Sequence, residues 1–262
     1  MNLRLALLST TCLLSSCRFL TVLEMKAAED AIYNEWKNKE NKTVIFIPMI
    51  HMGKREFYES AGKTIRFFKE QGYQVFYEEV SSEVPDTALT ASMIADYMEY
   101  PAFPLMSRKE LAAHVAALKL RRIVFLPERT LYKEGVIYDP FFKTTMPQPL
   151  YEDMGVTPDD IRVDVSLYDI VHAFEKTYGN IILKDEDFAT DLRKWLAPVK
   201  KDARLDSLIV TMRDANLANW IQASDTSKII VVYGRAHMKG TLQELKRLDK
   251  SWKTKKRNRF IL

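Results

Sequence analysis

Lys228–Gly240 reads Lys-Ile-Ile-Val-Val-Tyr-Gly-Arg-Ala-His-Met-Lys-Gly. An unbroken β-branched and aromatic run ends at Gly234, and His237 arrives three residues later, just before a helical pattern resumes. This is the pattern of a buried strand that empties into a tight turn bearing a histidine. In open α/β sheets the ground outside the carboxyl ends of the strands is where ligands and chemistry sit. The fold and the function both turn on what other segments bring to that edge.

Working outward, Thr43-Val-Ile-Phe-Ile-Pro-Met-Ile-His51 is another continuous apolar run, as expected of a strand covered on both faces. Phe57, Ala61, Ile65 and Phe68 recur at helical spacing between Glu56 and Gln71, and Gly72 stands where a left-handed cap belongs. Gln74-Val-Phe-Tyr-Glu78 follows as a strand, which completes a βαβ unit with an expected right-handed crossover. A helix from Thr87 to Tyr100, a capping box at Ser107-Arg-Lys-Glu110 opening a helix to Leu120, and a strand at Arg122–Leu126 continue the alternation.

The alternation lapses between Pro127 and Leu150, a proline- and aromatic-rich stretch of the length used for lids and binding loops. Thr157-Pro-Asp-Asp160 reads as a helix start, Leu167–Tyr178 as a helix closed by Gly179, and Glu186–Leu196 as another helix. Asp202–Trp220 is the longest helical pattern, and it leads into the Lys228 strand. A helix from Thr241 to Lys250 and a short strand at Arg259–Leu262 end the chain, while Met25–Asn38 reads as a polar helix. The expected fold class is α/β: a mainly parallel central sheet flanked by helices, with a helical and loop excursion between about 127 and 200.

The chain has 262 residues, of which 47% are hydrophobic and 28% charged, enough to bury the core of a single domain over 17–262. A formal charge of +4 is too mild and too dispersed for a nucleic-acid partner, and the basic run Lys253–Arg259 reads as a solvated end. Residues 1–16 follow the order of a secretory leader: Arg4, an apolar stretch from Leu5 to Leu14, then Ser15-Ser16-Cys17. Leu14-Ser-Ser-Cys17 resembles a bacterial lipobox, which makes Cys17 the lipidated first residue of the mature chain and predicts a membrane-anchored lipoprotein of the bacterial cell envelope. Both cysteines, Cys12 and Cys17, lie in this segment, so the body has neither a disulfide nor a thiolate metal site.

Two of the four histidines hold equivalent places: His51 ends one strand and His237 follows another. Parallel strands put their carboxyl ends on one edge, and Glu78 ends a third strand there, with Glu79 facing the opposite way. Two imidazoles and a carboxylate suit a divalent metal ion with positions open to water and substrate. Arg213 is carried on a largely apolar helix face near Ile209, Val210 and Leu217, where a guanidinium needs an anionic partner. Structural roles compete with each of these: a backbone-bonded turn histidine at 237 or at 51, and an ion pair between Arg213 and Glu78 that would compete with a metal. His114, among Leu111, Val115 and Leu118, reads as a core histidine, and His172 as a boundary residue. H-E-x-x-H and G-x-S-x-G are absent, and Gly62-Lys-Thr64 lies mid-helix rather than in a phosphate loop.

These residues resemble the TraB/GumN and TIKI-like group, within a wider set that includes erythromycin-esterase-like and ChaN-like proteins. Gly234-Arg-Ala-His237 is similar to the second of that family's two G-x-x-H motifs, Val75-Phe-Tyr-Glu78 to its glutamate strand, and Met212-Arg213-Asp214 with Leu217-Ala218 to its arginine helix. The first motif departs from the pattern, since Pro48-Met-Ile-His51 has proline where glycine is expected. The resemblance spans roughly residues 43–245 and implies an α/β fold and a metal-dependent peptidase activity in some members, with others metal-free or tetrapyrrole-binding. The expectation is a hydrolase of peptide or ester bonds, with His51, Glu78 and His237 holding a divalent ion and Arg213 stabilising an oxyanion or a substrate carboxylate. The alternative is a lipoprotein that binds haem or a similar porphyrin under the aromatic stretch Tyr132–Phe142, with Met52 and Met238 beside the histidines; an intact fold with a structural role is a third, hinted at by Pro48.

Overall fold

The computed structural model describes residues 30–80, 116, 145–182 and 203–259. Among them are strands β1 (Ile32–Lys37), β2 (Thr43–Met49), β3 (Met52–Lys54), β4 (Gln74–Tyr77), β5 (Thr145–Pro147), β6 (Ile161–Arg162), β7 (Lys228–Gly234) and β8 (Lys253–Arg259). The helices are α1 (Arg55–Glu70), α2 (Leu167–Tyr178), α3 (Ala203–Ala223) and α4 (Met238–Leu248).

Six strands form one sheet in the order β6-β4-β7-β2-β1-β8, and β3 and β5 form a separate antiparallel pair. β7 is central because Ile229, Ile230, Val231, Val232 and Tyr233 are all fully buried, so both of its faces must be covered. Alternation along the strands splits the core in two. Ile45, Ile47, Val75, Ile230 and Val232 pack beneath Phe57, Ala61, Ile65 and Phe68 of α1, whereas Phe46, Phe76, Val231 and Tyr233 pack beneath Leu217, Ala218 and Ile221 of α3 and Leu245 of α4.

The sheet is α/β but mixed, a correction to the mainly parallel sheet expected from the sequence. β2, β4, β6 and β7 run parallel, but β1 pairs antiparallel with both β2 and β8. Both antiparallel members come from segments read otherwise. Ile32–Lys37 is a strand rather than part of a polar helix: Asn34, Trp36 and Asn38 are buried at a period of two, and the Trp36 ring lies 5.0 Å from that of Phe46. The basic run Lys253–Arg259 is a strand paired with β1 rather than a loose end, and it is the last strand on that side of the sheet among the described residues.

Thr157–Asp160 does not open a helix. The Asp160 carboxylate accepts from the Thr157 amide at 2.7 Å and from Lys69 Nζ at 2.6 Å, which folds the segment into a turn ahead of β6. The excursion after 127 therefore returns to the sheet at β6. Helix α1 ends as expected, with Gly72 at φ 80°, and α2 opens on a Ser166/Asp169 capping box. The sequence readings at 1–29, 87–100, 122–126 and 186–196, at His114 and at Tyr132–Phe142 lie outside the described residues, as does the helix opened at 107 apart from the helical Ala116.

Helix α3 is fixed lengthwise across the sheet. Lys42, just before β2, donates through Nζ to the carbonyls of Ile221, Gln222 and Ser224 at 2.6–3.0 Å, a cation on the negative end of the helix. Burial lowers the pKa of this ammonium, against the pull of Glu40 and Asp225. With its last turn held at the amino edge of β2, α3 runs back and presents Arg213 and Asp214 at the carboxyl edge.

Ile230→Ala leaves a void under α1 at the centre of the sheet. The expected cost is about 2–5 kcal/mol in urea unfolding at an unchanged m-value.

Candidate functional site

The strand order puts the carboxyl ends of β4 and β2 on either side of β7, so Glu78, Gly234 and His51 leave the sheet on one edge. The Glu78 amide extends the ladder by donating to Val232 at 3.0 Å, and Met49 stands opposite Gly234 in register. The Glu78 carboxylate accepts from the Gly234 amide through Oε2 and from Arg213 Nη2 through Oε1. Position 234 needs a glycine for this: a Cβ there would lie 2.9 Å from Oε2.

Arg213 reaches this edge from α3. Its Nε and Nη2 donate to the two oxygens of Asp164 at 2.9 and 2.6 Å, a forked pairing that fixes the guanidinium plane. Asp164 follows β6, where the Val163 amide donates to the Tyr77 carbonyl at 3.2 Å and Asn216, one turn along α3 from Arg213, donates to the Val163 carbonyl at 2.6 Å. Tyr233, the last apolar residue of β7, donates its hydroxyl to Asp164 at 2.6 Å, and its ring centre lies 5.3 Å from the Arg213 guanidinium. The side chains of Arg213 and Glu78 are 12% and 11% exposed and that of Asp164 is sealed, so two carboxylates share one cation at the margin of the core.

Burial penalises the Arg213 cation, but Glu78 and Asp164 more than offset this and hold its pKa above the ordinary arginine value. Burial also pushes the Tyr233 phenol up; Arg213 opposes the shift, and Asp164 and Glu78 add to it. Tyr151 behaves alike, raised by burial and by Glu78. Arg213 Nη1 makes no hydrogen bond among the described residues, since its bonds run through Nε and Nη2.

His237 ends the 3-10 turn Arg235–His237 and is 5% exposed. Its Nδ1 lies 2.7 Å from Asp214 Oδ1, and its ring stands edge-on to Tyr233 at 5.1 Å. An ionised carboxylate only accepts, so in the neutral ring the proton sits on Nδ1 and the lone pair on Nε2, which makes no hydrogen bond among the described residues. Gly240 leaves the room this pair needs, since a Cβ there would overlap the Asp214 carboxylate.

The three residues read as metal ligands thus share an edge but not a common pocket of donors. Glu78 is held by Arg213 and a backbone amide, His237 is turned toward Asp214, and His51 is exposed, with its carbonyl accepting from the Gln148 amide at 2.9 Å. Among the described residues no three His, Cys, Asp or Glu side chains are grouped to hold a metal ion. In this arrangement the set His51, Glu78 and His237 is not grouped to hold a single ion; His237 has at Nδ1 the kind of carboxylate partner that metal-bound histidines carry. Met238 Sδ accepts from Asn34 Nδ2 at 3.1 Å, and His172 is exposed and stacked on Tyr168.

Asp164, Asp214 and Tyr233 were not singled out by motif reading. The signals were present all the same: a carboxylate between two valines that are buried here, a carboxylate beside the helix arginine, and a phenol closing an apolar run. No helix among the described residues is long and apolar enough to cross a membrane. No protein-family model matches the chain, and comparisons with curated proteins and with solved structures returned no match.

Tyr233→Phe removes a hydrogen bond to an ionised acceptor and is expected to cost about 1.5–3 kcal/mol at neutral pH. Because the folded chain keeps the phenol proton that the unfolded chain releases above about pH 10, this stabilisation is present below that pH and lost as pH rises. Unfolding midpoints between neutral pH and the alkaline range are expected to fall less steeply for the variant than for the wild type.

Proposed function

We propose that the chain is a hydrolase of peptide or ester bonds, tethered to the bacterial envelope through Cys17, with His237 as its general base. The buried Asp214–His237 pair at the carboxyl edge of the parallel strands carries this reading. Asp214 holds the imidazole in one tautomer and stabilises the imidazolium formed when Nε2 takes a proton from an attacking water. Arg213 is pinned in plane by Asp164 and Glu78, with Nη1 left to face an oxyanion or a substrate carboxylate.

Glu78 serves as an anchor in this scheme. Its oxygens position Arg213 and the Gly234 turn from which the His237 segment departs, so no step is assigned to it as an acid or base. The resemblance to the TraB/GumN and TIKI-like group supports a hydrolytic reading and adds a divalent ion, for which His237 Nε2 is the atom on offer.

Activity of the purified chain against p-nitrophenyl esters and fluorogenic peptides, with elemental analysis of the same samples, tests the proposal. His237→Ala is expected to lower turnover about 100- to 10,000-fold with folding intact, and Asp214→Asn to lower it by disturbing the tautomer. Wild-type turnover in His237→Ala would remove the general base. Stoichiometric metal that disappears in His237→Ala would move the chemistry onto an ion. A saturable Soret shift with haemin, lost in His51→Ala or His237→Ala, would replace the hydrolase by a porphyrin-binding lipoprotein.

A further inference from the structure

The segment that follows β5 crosses the functional edge on its α1 side. β5 is held antiparallel to β3, with Pro147 opposite Met52, and the next amide, that of Gln148, donates to the His51 carbonyl at 2.9 Å. Three residues on, the Tyr151 ring packs against that of Tyr77, with 5.1 Å between centres. His51 follows β2 and Tyr77 ends β4, and these two strands flank β7. Two inter-strand spacings come to roughly 10 Å, which three residues of chain just span. Residues 148–151 therefore form a strap laid across the carboxyl end of β7, beside Gly234.

Both ends of the strap are fixed. The Tyr151 carbonyl accepts from the amides of Met154 and Val156, each at 3.0 Å, and the half-buried ring packs with Ile50, Tyr77 and Met146 against the core beneath α1. None of this packing uses the hydroxyl. The Gln148 side chain favours the phenolate, so its carboxamide faces the phenol oxygen as a donor, and the proton of the phenol has no acceptor among the described residues. Glu78 is the carboxylate that acts most strongly on this phenol, but its two oxygens already accept from Arg213 and from the Gly234 amide. Burial and then Glu78 raise the phenol well above the ordinary tyrosine value, which keeps the proton in place at neutral pH.

We propose that Tyr151 is a further catalytic residue of this edge, donating a hydrogen bond to the substrate carbonyl oxygen as that oxygen becomes an oxyanion. The assignment rests on the hydrolase reading above. Arg213 and His237 reach the end of β7 from the α3 side and Tyr151 from the α1 side, so a carbonyl seated over Gly234 lies between base and donor. As water adds to the carbonyl carbon, His237 Nε2 takes its proton and the C=O electron pair moves onto oxygen, where Tyr151 meets it without giving up its own proton. Collapse restores the C=O bond and expels the leaving group, which takes the proton back from the imidazolium. The charge of Arg213 is already matched by two carboxylates, which weakens its pull on a new anion and leaves a role for a neutral donor.

Hydrolysis of a p-nitrophenyl ester by the wild-type chain and by Tyr151→Phe, with calorimetric binding of a phosphonate monoester of the same shape, tests the proposal. Tyr151→Phe is expected to lower kcat about 100- to 1,000-fold with KM nearly unchanged. The phosphonate, whose oxygens mimic the tetrahedral oxyanion, should bind the variant about tenfold more weakly or worse. Tyr73→Phe, just before β4 at the other end of that strand, should alter neither quantity. Wild-type kcat in Tyr151→Phe, a loss confined to KM, or an equal loss in Tyr73→Phe would overturn the proposal. If the wild-type chain leaves the ester intact, the hydrolase reading falls separately and the phosphonate decides: binding weakened in Tyr151→Phe keeps the oxyanion donor, and binding that is absent or indifferent to Tyr151→Phe overturns it.

Discussion

One guanidinium shared by two carboxylates holds the functional edge of this fold together. Arg213 on α3 joins Glu78 at the end of β4 to Asp164 after β6, and through Glu78 and Tyr233 it also reaches the end of β7. The desolvation of such a group is compensated only when its partners are in place, so removing either carboxylate leaves a poorly matched charge at the margin of the core. The same dependence makes the network a geometric device, because it ties the ends of three strands to one turn of one helix.

Helix α3 carries two kinds of polar contact on consecutive residues. Arg213 points to the strand ends, while Asp214 turns to His237 in the segment after β7. A shift of α3 along its axis would disturb both, and Lys42 opposes such a shift by gripping the last carbonyls of the helix. Orientation of the imidazole thus traces back to a lysine at the far edge of the sheet. Burial of Tyr233 between the two contacts, as hydrogen-bond donor to Asp164 and as edge partner of His237, makes the arrangement a single packed unit.

Much of this was legible in the sequence where local pattern and tertiary context agree. The unbroken runs at Thr43 and Lys228 are strands covered on both faces, and the helical spacing of Phe57, Ala61, Ile65 and Phe68 lies over one of those faces. The pairing of Arg213 with Glu78, read as a competitor of metal binding, is present. Strand order was not legible, and it is what sets β7 between the other two carboxyl ends. Ile32–Lys37 misled because its period-two burial rests on polar as well as apolar residues, with Asn34 and Asn38 buried beside Trp36. Lys253–Arg259 misled because its charge suggested solvent, although backbone pairing to β1 does not depend on side-chain polarity. Asp164 escaped motif reading, and Asp214 entered it only as the neighbour of Arg213, because a buried carboxylate declares itself only through its partner, and their partners lie 49 and 23 residues away.

The hydrolysis proposed for this edge requires Asp214 to hold His237 with the proton on Nδ1 and the lone pair on Nε2. Nitrogen-15 NMR of the imidazole in the neutral ring measures this directly. The expected result is a protonated Nδ1 with a hydrogen-bonded, downfield-shifted proton in the wild-type chain, and loss of that signal in Asp214→Ala. A ring protonated on Nε2, or a tautomer indifferent to Asp214, would contradict it.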